Sequence, residues 1–230
     1  VKASAEIATA NISCNATASA GSKVKCEISI SPSNVTIVGV AASYDLSSGV
    51  TYDSFNFKDG FMYANDKYRE VGFSTYNKSF SGKTTLGELL VNIPSNAVAN
   101  QEYTIGLKKI QVSYGNNILY YPADVTTTIR VVSSNDKLSS LSITGGTINF
   151  NPDTLTYNTT INSSSATISA TAADSNSVVT GTGNVSLNYG NNTFNITVRS
   201  EAGTTRTYTI NVNRPDSRST NNNLSSLSVD

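Results

Sequence analysis

The 230-residue chain contains no histidine and no tryptophan, one methionine and two cysteines. Without histidine it lacks the commonest general acid–base near neutral pH and the commonest metal ligand. A Ser–His triad and a histidine-ligated metal site are therefore excluded within these residues. Charge is sparse as well: 14% of residues are charged, balanced at 16 acidic against 16 basic. A nucleic-acid binder needs a basic surface that displaces counterions, so no nucleic-acid partner is expected. No run approaches the ~18–20 apolar residues of a membrane-spanning helix, and no membrane insertion is expected. No leader is evident, and the chain opens at Val1-Lys2-Ala3-Ser4 in the manner of a processed or truncated chain. Any anchor is expected outside these residues.

What is present is alternation. Apolar residues recur at every second position as Val38, Val40, Ala42, Tyr44; as Leu89, Val91, Ile93; as Tyr103, Ile105, Leu107; and as Val125, Thr127, Ile129, Val131. That period belongs to strands with one buried face, and the many β-branched residues suit it. The one short helix candidate, Thr84 to Leu90, reads equally well as strand. An all-β fold with two sandwich domains in tandem is expected, since 230 residues hold about two domains of ordinary size.

The cysteines fit the same pattern. Ala8, Ala10, Ile12, Cys14, Ala16 and Ala18 alternate, as do Val24, Cys26, Ile28 and Ile30, about the turn signal Ser19-Ala20-Gly21-Ser22. A hairpin folded about residue 20 pairs Ile12 with Ile28, Cys14 with Cys26 and Ala16 with Val24. Opposed residues stand roughly 4.5–5.5 Å apart at Cα, within disulfide range. The spacing predicts a Cys14–Cys26 disulfide and hence an oxidising compartment; two buried free thiols are the alternative.

A restart marks the domain boundary. Leu138-Ser139-Ser140-Leu141-Ser142-Ile143 recurs 86 positions later as Leu224-Ser225-Ser226-Leu227-Ser228-Val229, after the polar stretch from Arg214 to Asn223. The expected organisation is a first domain over 1–134, a second over 135–215, and over 216–230 a linker and the first strand of a further repeat.

Residues 5–132 resemble the cohesin-like family, a jelly-roll sandwich shared with several carbohydrate-binding modules. The likeness is carried by Ala18–Ile28 as an opening hairpin, by Val38-Gly39-Val40-Ala41-Ala42-Ser43-Tyr44-Asp45-Leu46, and by Gly87–Pro94 followed by Tyr103–Leu107. Cohesins capture dockerin modules, so the resemblance implies a protein partner. Ile37-Val38-Gly39 departs from the family, which often carries Asn and Asp on that strand. Residues 137–214 resemble the cadherin-like β-sandwich repeat of bacterial surface proteins. Here the motifs are Leu138–Ile143, Phe150-Asn151-Pro152-Asp153-Thr154-Leu155-Thr156-Tyr157, Tyr189–Val198 and Glu201–Arg214. In that repeat Phe194, Ile196 and Val198 are expected to face Tyr208, Ile210 and Val212, with Gly203 at positive φ in the connection. Tyr157 and Tyr208 are expected to anchor the core.

Candidate sites are few. Of the 12 tyrosines and 7 phenylalanines, nine fall between residues 52 and 80. Core packing accounts for the phenylalanines. Tyr63, Tyr68 and Tyr76, beside Lys58, Asp59, Asp66, Lys67, Arg69 and Glu70, form the candidate ligand-contact surface. No metal and no cofactor are expected. Asp136, Asp153, Asp174, Glu201 and Asp216 form no closely spaced ligand string, and Asp174-Ser175-Asn176 reads as a turn. Asp45 and Glu88 are the pair to weigh as a glycosidase acid and base, and Lys108, Asn92 and Glu88 as members of an intramolecular isopeptide bond. Gly181-Thr182-Gly183 has no helix after it and is no phosphate loop. The sequons at Asn11, Asn15, Asn34, Asn158 and Asn195 are what a chain rich in Asn, Ser and Thr produces by chance. The expected function is a non-catalytic, extracellular binding or adhesion module of a secreted or surface-attached protein, monomeric, with the second domain as stalk. The partner on the first domain is a protein or a polysaccharide; a pure spacer is the remaining alternative.

Overall fold

In the computed structural model, residues 6–58, 63–65, 70–74, 79–217 and 228 are described. The chain forms two compact units, Val1–Ser133 and Ser134–Asp230. Among the described residues the regular elements are all strands.

The first unit is a sandwich of two sheets. One runs in the order β1 (Ala8–Cys14), β3 (Lys23–Pro32), β8 (Thr84–Asn92), β5 (Thr51–Phe57). The other runs β2 (Thr17–Ala18), β11 (Val125–Val131), β9 (Glu102–Tyr114), β4 (Ile37–Leu46), β7 (Glu70–Ser74), β6 (Tyr63–Asn65), with β10 (Ile118–Tyr120) also paired to β9. Their inner faces share one apolar core, in which Ile28, Leu86, Leu89, Ile105, Leu107 and Ile129 are buried. Each such side chain contributes about 1.5–3 kcal/mol on leaving water. The residues 84–90 are strand, because Leu86 and Leu89 are drawn into this core between β3 and β5. Gly87 is needed there: a Cβ would overlap the Phe55 ring and the Asn56 carbonyl oxygen.

The opening hairpin keeps the expected register as far as the cysteines. Ile12 lies opposite Ile28 and Cys14 opposite Cys26, and the two cysteines form a disulfide with 4.1 Å between Cα atoms. Beyond Cys14 the register expectation fails. Ala16 does not pair with Val24; its carbonyl accepts the Arg130 N–H (2.9 Å), and Thr17 and Ala18 pair in parallel with Arg130 and Val131. The strand thus changes sheet just after the disulfide, which leaves Ala16 exposed. Local alternation cannot report this, because the new partner is 114 residues away in the chain.

Alternation is also interrupted in β4. A register shift between Ile37 and Gly39 puts Ile37 in the core and turns Val38 outward. Val40, Ala42 and Tyr44 are buried as expected.

The second unit has one sheet ordered β12 (Leu138–Ile143), β14 (Ser165–Ala172), β16 (Gly183–Ser186). Its other sheet is ordered β13 (Thr156–Thr160), β18 (Thr205–Arg214), β17 (Gly190–Arg199), β15 (Val178–Thr180). Ile196 faces Tyr208 and Phe194 faces Ile210, and Gly203 closes the connection at φ 89°. Leu138, Ile161, Ile168, Ile196, Val198, Tyr208 and Ile210 form its core. Both anchoring tyrosines are tied at the hydroxyl. Fully buried Tyr208 donates to the Pro152 carbonyl (2.8 Å) and accepts the Leu138 N–H (3.2 Å). Tyr157 donates to the Asn151 carbonyl (2.6 Å) and accepts the Asn151 N–H (3.0 Å). Phe150 fills the space between them, 6.1 Å from each ring. Two phenols thereby hold the Asn151-Pro152 turn from both sides, and Tyr208 also satisfies the buried Leu138 N–H, which would otherwise cost free energy.

Candidate functional site

Two bulges shape the outer face of the larger sheet of the first unit. One is the shift at Ile37/Gly39. The other lies in β9, where Lys109 takes φ 51° and donates its N–H to Asp124 Oδ1 (3.0 Å), matching a register shift between Ala41 and Ser43 of β4. Bulges of this kind re-aim side chains. Here they leave Val38, Gly39 and Ala41 of β4 facing outward beside Gln111 and Ser113 of β9. Gly39 is in register with Ser113 on one side and Ser74 on the other. Ala41 lies between Gln111 and Gly72 in the same way. Gly39 and Ala41 of β4 beside Ser113 of β9 make the floor of a shallow groove.

The hairpin from β9 to β10 supplies one wall. Gly115 (φ 56°) and Asn117 (φ 61°) turn the chain, and Asn117 and Leu119 line the groove. Leu119 is 47% exposed, and its neighbours in the chain Ile118 and Tyr121 are 54% and 63% exposed. Further along the same two strands Lys108 Nζ lies 2.5 Å from Asp45 Oδ2, and this hydrogen bond holds the Lys108 ammonium above its usual pKa. The groove's lining holds no charged residue and mixes Val38, Ala41 and Leu119 with the polar Gln111, Ser113 and Asn117.

The sequence-derived candidates separate into distinct groups. Cys14 and Cys26 are joined. Tyr68 and Tyr76 lie outside the described residues, as does the side chain of Tyr63, whose backbone belongs to β6 and pairs with Gly72. Asp45 and Glu88 stand on different sheets, Asp45 bound to Lys108 and Glu88 3.5 Å from Lys25 Nζ. They are not brought together as an acid–base pair. Lys108, Asn92 and Glu88 are likewise divided between sheets, and the Asn92 amide faces Thr51 Oγ1 at 3.5 Å. Asp174 Oδ1 accepts the Asn176 N–H (2.8 Å), which makes that segment a turn. Asp136 and Asp153 are engaged by Arg206 (2.9 Å) and Lys137 (2.6 Å). Among the described residues no three Cys, Asp or Glu side chains cluster as a metal site.

Sequence reasoning missed the groove. Its one visible signal was Ile118-Leu119-Tyr120-Tyr121, an apolar run placed directly after the turn residues Gly115-Asn116-Asn117.

The outer face of the larger-stranded sheet of the second unit has a different character. Its cross-strand rows are Thr156–Thr209–Asn195, Asn158–Asn211–Thr193 and Thr160–Asn213–Asn191. The middle row is internally bonded: Asn211 Nδ2 donates to Asn158 Oδ1 (3.1 Å), and Thr193 Oγ1 donates to Asn211 Oδ1 (3.0 Å). Thr209 Oγ1 donates to Asn195 Oδ1 (3.0 Å).

Comparison with solved structures aligns the N-terminal half with cohesin modules. One is the cohesin module of a Clostridium perfringens family 33 glycoside hydrolase, at 10% identity and TM-score 0.47, covering 54% of this chain and 96% of that one. Another is the third ScaB cohesin of R. flavefaciens, solved in complex with a group 1 dockerin, at 18% identity and TM-score 0.48, covering 55% and 96%. Fibronectin(III)-like modules of Clostridium thermocellum CbhA align over 90% of this chain and 94% of theirs, at 11% identity and TM-score 0.32. No curated protein matches the sequence. For the second unit, whose two sheets and tyrosine-braced turn are described above, residues 138–215 match the family model described as a cadherin-like beta sandwich domain.

Proposed function

We propose that the chain is a non-catalytic, extracellular interaction module, in which the first unit holds a protein partner in the groove between β4 and β9 and the second serves as stalk. The observation that carries this reading is the groove itself. Gly39, Ala41 and Ser113 lie on its floor and Leu119 lines it, in a segment where Ile118 and Tyr121 are exposed as well. Exposed apolar clusters of this kind are what partner surfaces cover. Because no charged residue lines the groove, the partner is expected to present uncharged side chains, and association is expected to depend little on salt. The disulfide agrees with an extracytoplasmic compartment.

The test is a pull-down from culture supernatant, with dockerin-bearing proteins among the prey, comparing the native chain with Ala41→Arg and Leu119→Asp. Both positions are exposed, so neither substitution disturbs the core. The reading requires a protein retained by the native chain and lost from both variants. Retention of nothing, or equal retention by all three, would sink it. The polysaccharide alternative for this unit rests on Tyr63, Tyr68 and Tyr76, and retardation in affinity gels that is abolished by their alanine variants would support it instead.

A further inference from the structure

The outer face of β13, β18 and β17 is built from only two residue types. Its rows, given above, hold threonine and asparagine alone, without a charge or an apolar side chain among the nine. Beyond them the pattern continues with Thr207, whose hydroxyl lies 3.2 Å from that of Thr197. Other residues would serve equally well if the face had only to be wetted, and lysine and glutamate are the usual choice for solubility. A sheet face of amides and hydroxyls differs in one respect: each carboxamide presents a donor and an acceptor side by side.

Two rows are already braced. Their side chains bond to each other, which fixes their rotamers and aims the remaining lone pairs and N–H groups outward. The third row is not. Among the described residues no hydrogen bond is formed by the side chains of Thr160, Asn191 and Asn213. These three, with Asn158 and Asn211, line a shallow depression on the face. Two free carboxamides therefore sit next to a braced pair, with a hydroxyl beside them.

We propose that this face of the second unit binds an uncharged polysaccharide, whose vicinal hydroxyls exchange hydrogen bonds with Asn191 and Asn213. Neighbouring sugar hydroxyls alternate donor and acceptor roles as the amides do. The absence of charge from the rows fits a neutral ligand and disfavours an acidic glycan or nucleic acid. A second copy of the chain fits less well. Three strands at ~4.8 Å spacing and five residues along each at ~3.4 Å cover roughly 250 Å², about a third of the ~800 Å² per partner that a stable dimer buries. A single glycan chain needs no more than that area.

The proposal is independent of the protein partner assigned to the first unit, and its variants lie in the other unit. The probes are insoluble cellulose, chitin and xylan, incubated with the whole chain at low and at high salt. Retention on at least one of them is expected, unchanged by salt. It is expected to fall at least tenfold in the Asn191→Ala/Asn213→Ala double variant, whose exposed positions leave the core intact. A Thr205→Ala control, on the same strand but away from the depression, is expected to bind normally. Retention on none of the probes would overturn the proposal. So would retention that survives the double variant, or that the Tyr63, Tyr68 and Tyr76 variants abolish instead. Concentration-dependent dimerisation that the double variant removes, without glycan retention, would assign the face to self-association and overturn it equally.

Discussion

Tyr208 joins three parts of the second unit through one oxygen. Its ring is fully buried, and its hydroxyl bridges the Pro152 carbonyl and the first N–H of β12. Tyr208→Phe keeps the ring and removes both bonds, one of them to the buried Leu138 N–H and the other to the half-buried Pro152 carbonyl. The expected loss is about 1–3 kcal/mol, read as a lower denaturation midpoint at an unchanged slope. Gly87→Ala acts in the first unit by the opposite route, adding a methyl group where the Phe55 ring and the Asn56 carbonyl already stand. An expected cost of about 1–3 kcal/mol follows from overpacking, and a midpoint unchanged from the native chain would refute it. Ion pairs matter less. The ammonium hydrogen bonds of Lys23 and Lys137 hold the carboxyls of Asp53 and Asp153 below their usual pKa. The folded state thus keeps these groups charged where the unfolded chain would protonate them. Their contribution is complete above the unfolded value and is lost as pH falls through the folded one. Both pairs are solvent-exposed and hence weak. Lys137→Gln is expected to leave neutral stability nearly unchanged and to flatten the acid limb of the second unit's pH profile below about pH 4; a limb identical to the native one would show that the pair is inert.

Strands were legible in the sequence wherever burial alone decides the face. Tyr103, Ile105 and Leu107, or Ile196 and Val198 against Tyr208 and Ile210, sit where a period of two puts them. The disulfide was legible for the same reason, because two alternating runs folded about one turn can meet in few registers. What escaped are the places where one strand changes partner. The sheet switch after Cys14 depends on β11, and the outward turn of Val38 depends on a bulge that only its pairing with β9 reveals. The groove is a product of the two bulges between β4 and β9. Glycine, alanine and serine at 39, 41 and 113 carry no signal of their own, and they become a floor only when register sets them side by side. The switch also gives the disulfide its structural role: it fastens β1 to β3 at the last residue before the chain departs for the other sheet. Replacing both cysteines by serine is expected to cost about 2–3 kcal/mol, the value for a loop this short, and an unchanged midpoint would contradict the assignment.

The two units have separate cores, so their stabilities are expected to respond separately. Calorimetry of the whole chain should resolve two transitions. A thiol reductant or Gly87→Ala should lower only the one belonging to the first unit, and Tyr208→Phe only the other. A single transition that moves with every change would mean that the units unfold together. The parallel pairing of β2 with β11 bears on a different property. In the first unit a strand near the start of the chain lies beside the strand near its end and points the same way. The second unit repeats the arrangement with β13 beside β18. A tether pulled at its two ends loads such pairs lengthwise, so that their hydrogen bonds must yield together and not one after another. In the stalk role proposed above, that is resistance to extension. The disulfide adds a stop: its 12-residue loop holds back roughly 40 Å of contour, length that single-molecule stretching should recover only after reduction.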